Sequence, residues 1–302
     1  MSVVFSLNFP KAAQAQEETN LPADNGILLK GSNQCAMLLV HGLTGTPNEM
    51  KFLAYHFYKH GYSVICPRLA NHGAPLAVLK NTQWQEFYQS VREAFLQARK
   101  AHQQVFVAGL SMSALLVLLL AEEFKGEVAG VTCLSPTLFF DGWNSPWYRC
   151  FLPLVYRTPL KYWFYFKEDP PYGIKNEDIR QLVHKYYNGA RLDDMSGVAK
   201  YGYPFFPLTL LYQLHLLVKH VIPRLGDISV PVQLIQAKYD DTTSEKNSQF
   251  IYDRVKSKMK EITLLYDSYH VVTADQERSQ VAQKMEEFFE KVTSTDTLSV
   301  KA

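Results

Sequence analysis

Four short stretches hold the residue types that acyl-transfer chemistry needs. The first, VFVAGLSMSALLVLL (residues 105–119), is an apolar run interrupted by Gly109 and two serines, Ser111 and Ser113. It reads as a strand ending near Gly109 joined to a helix beginning near Met112. Ser111 then falls on a sharp turn at the strand's carboxyl end. There its hydroxyl projects from the sheet, and the helix N-terminus favours developing negative charge. A serine in that turn can also be a simple helix cap, so the other stretches have to decide. In HGLTG (41–45), the glycines permit a tight turn that leaves a backbone N–H exposed. The N–H groups of Leu43 and Met112 would together form a two-donor oxyanion hole. His41 reads as a structural hydrogen-bonder rather than a base. The stretch QAKYDDTTS (236–244) sets Asp240 three residues past a strand end, with Asp241 as its competitor. Asp240 is favoured because the turn should aim it at the sheet edge and Asp241 at solvent. DSYHVVTADQER (267–278) puts His270 in the loop before a last helix expected to start near Asp275. The chain order Ser111, Asp240, His270 suits a nucleophile, an orienting acid and a general base.

Such groups work only if rigid elements hold them. Six short runs rich in β-branched residues, bounded by Gly, Pro or polar residues, read as strands buried on both faces: CAMLLV (35–40), YSVICP (62–67), QVFVAG (104–109), GVTCLS (130–135), PVQLIQA (231–237) and EITLLY (261–266). Helix-length segments separate them. Thr46-Pro47-Asn48-Glu49 offers a capping threonine, a proline at the first helical position and a glutamate at the third, with Gly61 closing the helix. Thr82-Gln83-Trp84-Gln85 repeats the capping-box spacing before a helix running to about His102. Strands alternating with helices imply right-handed crossovers and an α/β fold: a mostly parallel, doubly wound sheet covered on both faces.

The alternation fails between residues 137 and 226. From Phe139 to Phe166 there are 12 aromatic residues in 28, against 13% in the whole chain, and prolines punctuate the segment. That composition suits an inserted, helical, aromatic-rich cap over the carboxyl ends of the strands, where open α/β sheets bind ligands. Most of these aromatics are expected to pack among themselves and a few to line a pocket. The resulting division is a flexible tail over 1–26, core over 27–136, cap over 137–226, core over 227–292 and a second tail over 293–302.

Composition excludes several classes. Hydrophobic residues make up 47% and charged residues 20% of the 302, with a formal charge of +2 and no Lys/Arg-rich block, so nucleic acid is not expected as a partner. The longest apolar stretches fall well short of the ~18–20 residues of a membrane span. Cys35, Cys66, Cys133 and Cys150 have no C-x-x-C spacing and read as free thiols. AAQAQEE (12–18) faintly resembles a signal-peptidase site without a basic region before it, so cytoplasmic location is expected and secretion is the lesser alternative.

With LLVHGLTGTP, CPRLANHG, GLSMSA, QAKYDDTTS and YHVVTADQE in place, the chain resembles α/β-hydrolases of the carboxylesterase and monoacylglycerol-lipase-like group over about residues 35–292. The resemblance implies Ser111 as nucleophile, His270 as base, Asp240 as its orienting acid, and the Leu43 and Met112 N–H groups as oxyanion donors. It also implies a cap at 137–226 and a structural role for Asn71-His72-Gly73. One departure stands out: Ser113 replaces the glycine usual there. Small size is the physical requirement, and serine followed by Ala114 should meet it. The expected reaction is ester hydrolysis through an acyl-enzyme on Ser111, needing no metal or organic cofactor, with short- to medium-chain acyl groups preferred. A thioesterase or acyltransferase served by an acyl carrier protein would use the same residues. Lys161, Lys167, Lys175, Arg180, Lys185 and Arg191 could then form a docking rim. A lipid surface is a further candidate partner, and a non-catalytic ligand-binding protein is the alternative outside enzymes.

Overall fold

The computed structural model describes residues 26–299. Its strands, in chain order, are β1 (Gly26–Leu29), β2 (Cys35–Val40), β3 (Ser63–Pro67), β4 (Gln104–Leu110), β5 (Gly130–Leu134), β6 (Tyr165–Lys167), β7 (Phe205–Pro207), β8 (Val232–Ala237) and β9 (Lys260–Leu265). All six expected strands form. The seven-stranded sheet runs β1-β3-β2-β4-β5-β8-β9 and is parallel except for β1, which pairs antiparallel with β3. β1 escaped the sequence reading because four half-buried residues are too few to show a period. The register sets Val40 beside Gly109, Leu110 beside Leu134 and Ala237 beside Leu265. The carboxyl ends of β2, β4, β5, β8 and β9 therefore share one rim.

The helices are α1 (Lys51–Lys59), α2 (Leu76–Leu79), α3 (Trp84–Ala101), α4 (Met112–Glu123), α5 (Leu152–Val155), α6 (Glu177–Gly189), α7 (Val198–Tyr201), α8 (Leu208–Val221), α9 (Lys246–Arg254) and α10 (Arg278–Ser299). One face of the sheet buries Phe87 and Phe95 of α3 with Leu115 and Leu118 of α4; the other buries Phe57 of α1 with Phe288 and Phe289 of α10. Every residue from Met112 to Ala121 is buried. A helix apolar all round belongs inside the molecule, and α4 accordingly lies between the sheet and helices α3 and α8.

Several boundaries differ from the sequence reading. Thr46 does cap a turn, accepting from Asn48 N, but the turn is 3₁₀ over Pro47–Met50 before α1 begins. Glu49 does not close a capping box; its carboxylate reaches back to Gly42 N instead. The second box is shifted by one residue, with Gln83 as cap and Glu86 as its partner, while Thr82 Oγ1 accepts from Asn71 Nδ2. The last helix starts at Arg278, because Asp275 is occupied by the backbone N–H groups of Lys175, Asn176 and Tyr269. It continues to Ser299, into the expected tail over 293–302. The segment 12–18 and nearly all of the expected N-terminal tail lie outside the described residues.

Between β5 and β8 the chain makes 3₁₀ turns at Trp147–Phe151 and Pro159–Tyr162, a small antiparallel pairing of β6 with β7, and α5 to α8. The last of these also belongs to the core. Leu210, Leu214 and Leu217 of α8 join the main core cluster with α3 and α4, while Leu211 and Leu214 line the cavity beside Ser111. Among the described residues, no helix is long and apolar enough to cross a membrane.

Candidate active site

The turn after β4 is the first constraint. Ser111 sits at φ 58°, ψ −119°, between Leu110 and the first residue of α4. Left-handed backbone at a non-glycine residue costs on the order of 1–3 kcal/mol and persists only where the surroundings impose it. Here Ser111 N donates to Leu134 O at 2.8 Å, extending the ladder to β5 past the strand's end. Gly109 allows the chain to double back, since a Cβ there would lie 2.2 Å from Ser113 O. Ser113 is completely buried, and its hydroxyl donates to His41 O. The residue standing where glycine was expected thus ties the turn to the loop after β2.

His270 Nε2 lies 2.9 Å from Ser111 Oγ, and His270 Nδ1 lies 2.9 and 3.1 Å from the two Asp240 oxygens. With Nδ1–H committed to the carboxylate, Nε2 is the acceptor for the serine hydroxyl. The Asp240 carboxylate also accepts from Thr242 N and Thr243 N, both at 2.8 Å, and from Gln236 Nε2 at 2.8 Å. These donors orient it without competing for the imidazole. The structure brings Ser111, His270 and Asp240 into one hydrogen-bonded line.

Asp241 differs from expectation. It is 4% exposed rather than turned to solvent, and its oxygens accept from Gly173 N at 3.1 Å and His270 N at 3.3 Å. It anchors the backbone of the histidine loop and joins that loop to the insertion.

The HGLTG loop is held by two rings. His41 Nδ1 donates to Gly42 O at 2.9 Å and its Nε2 accepts from Leu69 N. That bond fixes the peptide plane carrying the Leu43 N–H. His72 Nε2 donates to Leu43 O at 2.7 Å and fixes the next plane. Burial depresses both imidazoles below the usual histidine range, His41 strongly, so they act as neutral hydrogen-bonders. Met112 opens α4, where the first N–H groups have no intrahelical acceptor.

Burial acts to lower the His270 pKa, but the charge and hydrogen bond of Asp240 outweigh it, with Asp241 and Glu49 adding to them, and the net shift is upward. Glu49 is pushed up to about 7, chiefly by burial, against the opposing Gly42 N–H bond and His270 charge. Glu168 also rises to about 7, through burial and then the neighbouring Asp241. Burial raises Asp241 too. Carboxyl groups thus ring the imidazole, and two of them change charge near neutrality.

Three of these side chains were missed by sequence reasoning. Thr137 Oγ1 lies 2.9 Å from Ser111 Oγ; since that serine donates to His270, Thr137 is the donor between them. Its place three residues past β5, on the same rim, was the available signal. Glu49 hid inside a helix-start pattern, and Gly45 makes room for it, since a Cβ at Gly45 would lie 2.1 Å from Glu49 Oε2. Glu168 had no signal, because only the folding of the insertion brings it over the site.

Ser111 and His270 open on a cavity of about 470 Å³ whose apolar wall includes Leu43, Phe140, Phe166, Val183, Phe206 and Leu211. Among the described residues, one cluster has metal-ligand composition, His56, His60 and Glu286; none of them lines the cavity, and His56 is paired with Glu286 at 3.1 Å.

Known proteins resemble the chain along most of its length. The family model described as serine aminopeptidase, S33, matches residues 31–277. The thermostable monoacylglycerol lipase of Bacillus sp. (strain H-257) is 29% identical over 255 residues, 84% of this chain and 90% of that protein. The carboxylesterase of Bacillus subtilis (strain 168) is 23% identical over 264 residues, covering 87% and 95%. Among solved structures, a metagenome-derived lipolytic enzyme aligns with a TM-score of 0.73 at 24% identity, covering 90% of this chain and all of its own. The monoacylglycerol lipase of Paleococcus ferrophilus aligns at 0.69 with 18% identity, covering 88% and 98%. A family match running through the sheet, the elbow and the histidine loop makes the chain a member of the serine aminopeptidase S33 family of α/β-hydrolases and, with the lipase and carboxylesterase relatives, an ester-hydrolysing enzyme.

Proposed function

We propose that the chain hydrolyses carboxylic esters of short- to medium-chain acyl groups, monoacylglycerols among them, through an acyl-enzyme on Ser111. The observation that carries this reading is the unbroken line from Asp240 through His270 to Ser111 at the floor of an apolar cavity. His270 takes the serine proton as Ser111 Oγ attacks the ester carbonyl, and the Leu43 and Met112 N–H groups receive the oxyanion. The imidazolium then protonates the leaving alcohol. Water, deprotonated by the same ring, releases the acid and restores the serine. Asp240 keeps the tautomer and stabilises the imidazolium, while Thr137 steadies the hydroxyl before attack.

The monoacylglycerol lipase and carboxylesterase relatives support an ester substrate. A carrier-protein substrate is less well supported, because three of the six cations of the supposed rim are paired with carboxylates, Lys175 with Asp267, Arg180 with Glu177 and Arg191 with Asp193. Four cysteines without disulfides suit the cytoplasm.

The test is hydrolysis of p-nitrophenyl esters and monoacylglycerols of graded chain length. Burial of each CH₂ contributes about 0.8 kcal/mol, so kcat/KM should rise up to about fourfold per carbon until the cavity fills. Ser111→Ala should abolish hydrolysis and labelling by a fluorophosphonate. Hydrolysis surviving that substitution, or a wild type that never labels, refutes the reading.

A further inference from the structure

Away from the cavity, α1 and α10 cover the same face of the sheet and bring three metal-ligating side chains together. His56, in α1, and His60, just past its end, are four residues apart and share one face of that helix. Glu286 of α10 faces both. Its Oε2 lies 3.1 Å from His56 Nε2, and its Oε1 lies 3.7 Å from His60 Nδ1. One ligand atom from each of the three lies within 4.8 Å of the other two. His56 and Glu286 are 230 residues apart in the chain, so only the fold assembles this set.

The backbone beneath the cluster is fixed. Phe57, next to His56, and Phe289, three residues past Glu286, are completely buried, with ring centroids 5.8 Å apart. The two helices therefore hold their ligands together before any ion arrives. Ion pairing by itself accounts for only one ring. Two imidazoles whose centroids lie 4.4 Å apart share a single carboxylate, and if both carried charge they would repel.

A divalent transition-metal ion suits all three groups at once. Two imidazole nitrogens and a carboxylate oxygen are a ligand set of zinc and its neighbours, whereas magnesium and calcium take oxygen ligands. Zinc bonds of ~2.0–2.1 Å set tetrahedral ligand atoms about 3.3 Å apart, close to the 3.1 and 3.7 Å separations here. His60 has 47% of its side chain exposed, which gives the ion an entry path and leaves a fourth position to water. Its Nδ1 donates to His56 O at 2.8 Å. That carbonyl also accepts from His60 N, so the ring can turn to the ion without orphaning it.

We propose that His56, His60 and Glu286 bind one transition-metal dication such as zinc, as a clamp between α1 and α10. None of the three lines the cavity, so the ion braces the fold and stands apart from ester hydrolysis.

The experiment is calorimetric titration of the EDTA-stripped full chain with zinc chloride, and with magnesium chloride for comparison. Zinc should bind at one site per chain with Kd below about 0.1 mM, and magnesium should not bind. His56→Gln/His60→Ala keeps a donor for Glu286 and leaves the buried phenylalanines in place, and it should weaken zinc binding at least about tenfold. Without metal, circular dichroism should find this variant unfolding within about 2 °C of the wild type, which shows it folded. At zinc about a hundredfold above Kd, the wild-type Tm should rise by about 4 °C, and that of the variant by no more than about half as much. Zinc binding weaker than about 0.1 mM, magnesium binding as tight as zinc, or undiminished binding by the double variant overturns the proposal, the last by placing the ion elsewhere.

Discussion

Glu49 offers the most quantitative test of the site. It lies beneath the HGLTG loop, accepts from Gly42 N at 3.0 Å, and has its carboxyl pushed up to about 7 by burial. In the unfolded chain the same group titrates near 4.3. Between those values the folded state holds a proton that the unfolded state has released, so stability falls as pH rises through this window and levels off above it. At about 1.4 kcal/mol per unit, the full loss is about 4 kcal/mol, and about 2–3 once solvent in the cavity screens the carboxylate. Glu49→Gln removes the titration and keeps an oxygen for Gly42 N. The variant should match the wild type near pH 5 and exceed it by about 2–3 kcal/mol near pH 8. With about 2.1 cal/mol/K per residue of unfolding entropy, that is a rise of roughly 3–5 °C in Tm. Thermal unfolding followed by circular dichroism at both pH values is sufficient. Equal stabilisation at pH 5 and pH 8, or loss at both, would show that Glu49 is not a buried acid titrating near neutrality.

The remaining expectations are simpler. Ser113→Gly gives up one buried hydrogen bond to His41 O and should cost about 1–2 kcal/mol with activity largely kept. Ser113→Leu must fit three more carbons where there is no space, so soluble yield or kcat should collapse; a fully active leucine variant would refute the account of the elbow. Asp240→Asn should lower kcat by about 10³–10⁴ through loss of the correct tautomer. Asp241→Asn, which still offers an oxygen to the backbone, should lose no more than about tenfold; equal losses would reverse the assignment. Because His270 must be neutral to act and its pKa is raised, kcat/KM should fall on the acid side with an apparent value above 6.5. Glu49→Gln should move that limb to lower pH, as read from a pH–rate profile.

Local patterning determined a good deal of this protein. Apolar runs such as Cys35–Val40, set between helix-length segments, suit a parallel sheet covered on both faces, so the strands, their helices and the α/β class follow from the residues themselves. The order of Ser111, Asp240 and His270, each after a strand, came from the same reading, because loops at strand ends inherit their location from the strands. What tertiary structure alone decided depends on contacts between distant segments. Asp241 turned inward because Gly173, from the insertion, supplies an N–H for it. Glu49 left its helix cap because Gly42, seven residues back, is folded within reach of its carboxylate. Helix α8 joined the core because α3 and α4 leave an apolar surface to cover. Trp143, Trp147, Phe151 and Trp163 stay exposed while the cavity wall and core are filled by Phe140, Tyr156, Phe166, Phe206 and the leucines of α8. Composition records how much apolar surface a segment carries, but only packing decides which part of it stays exposed.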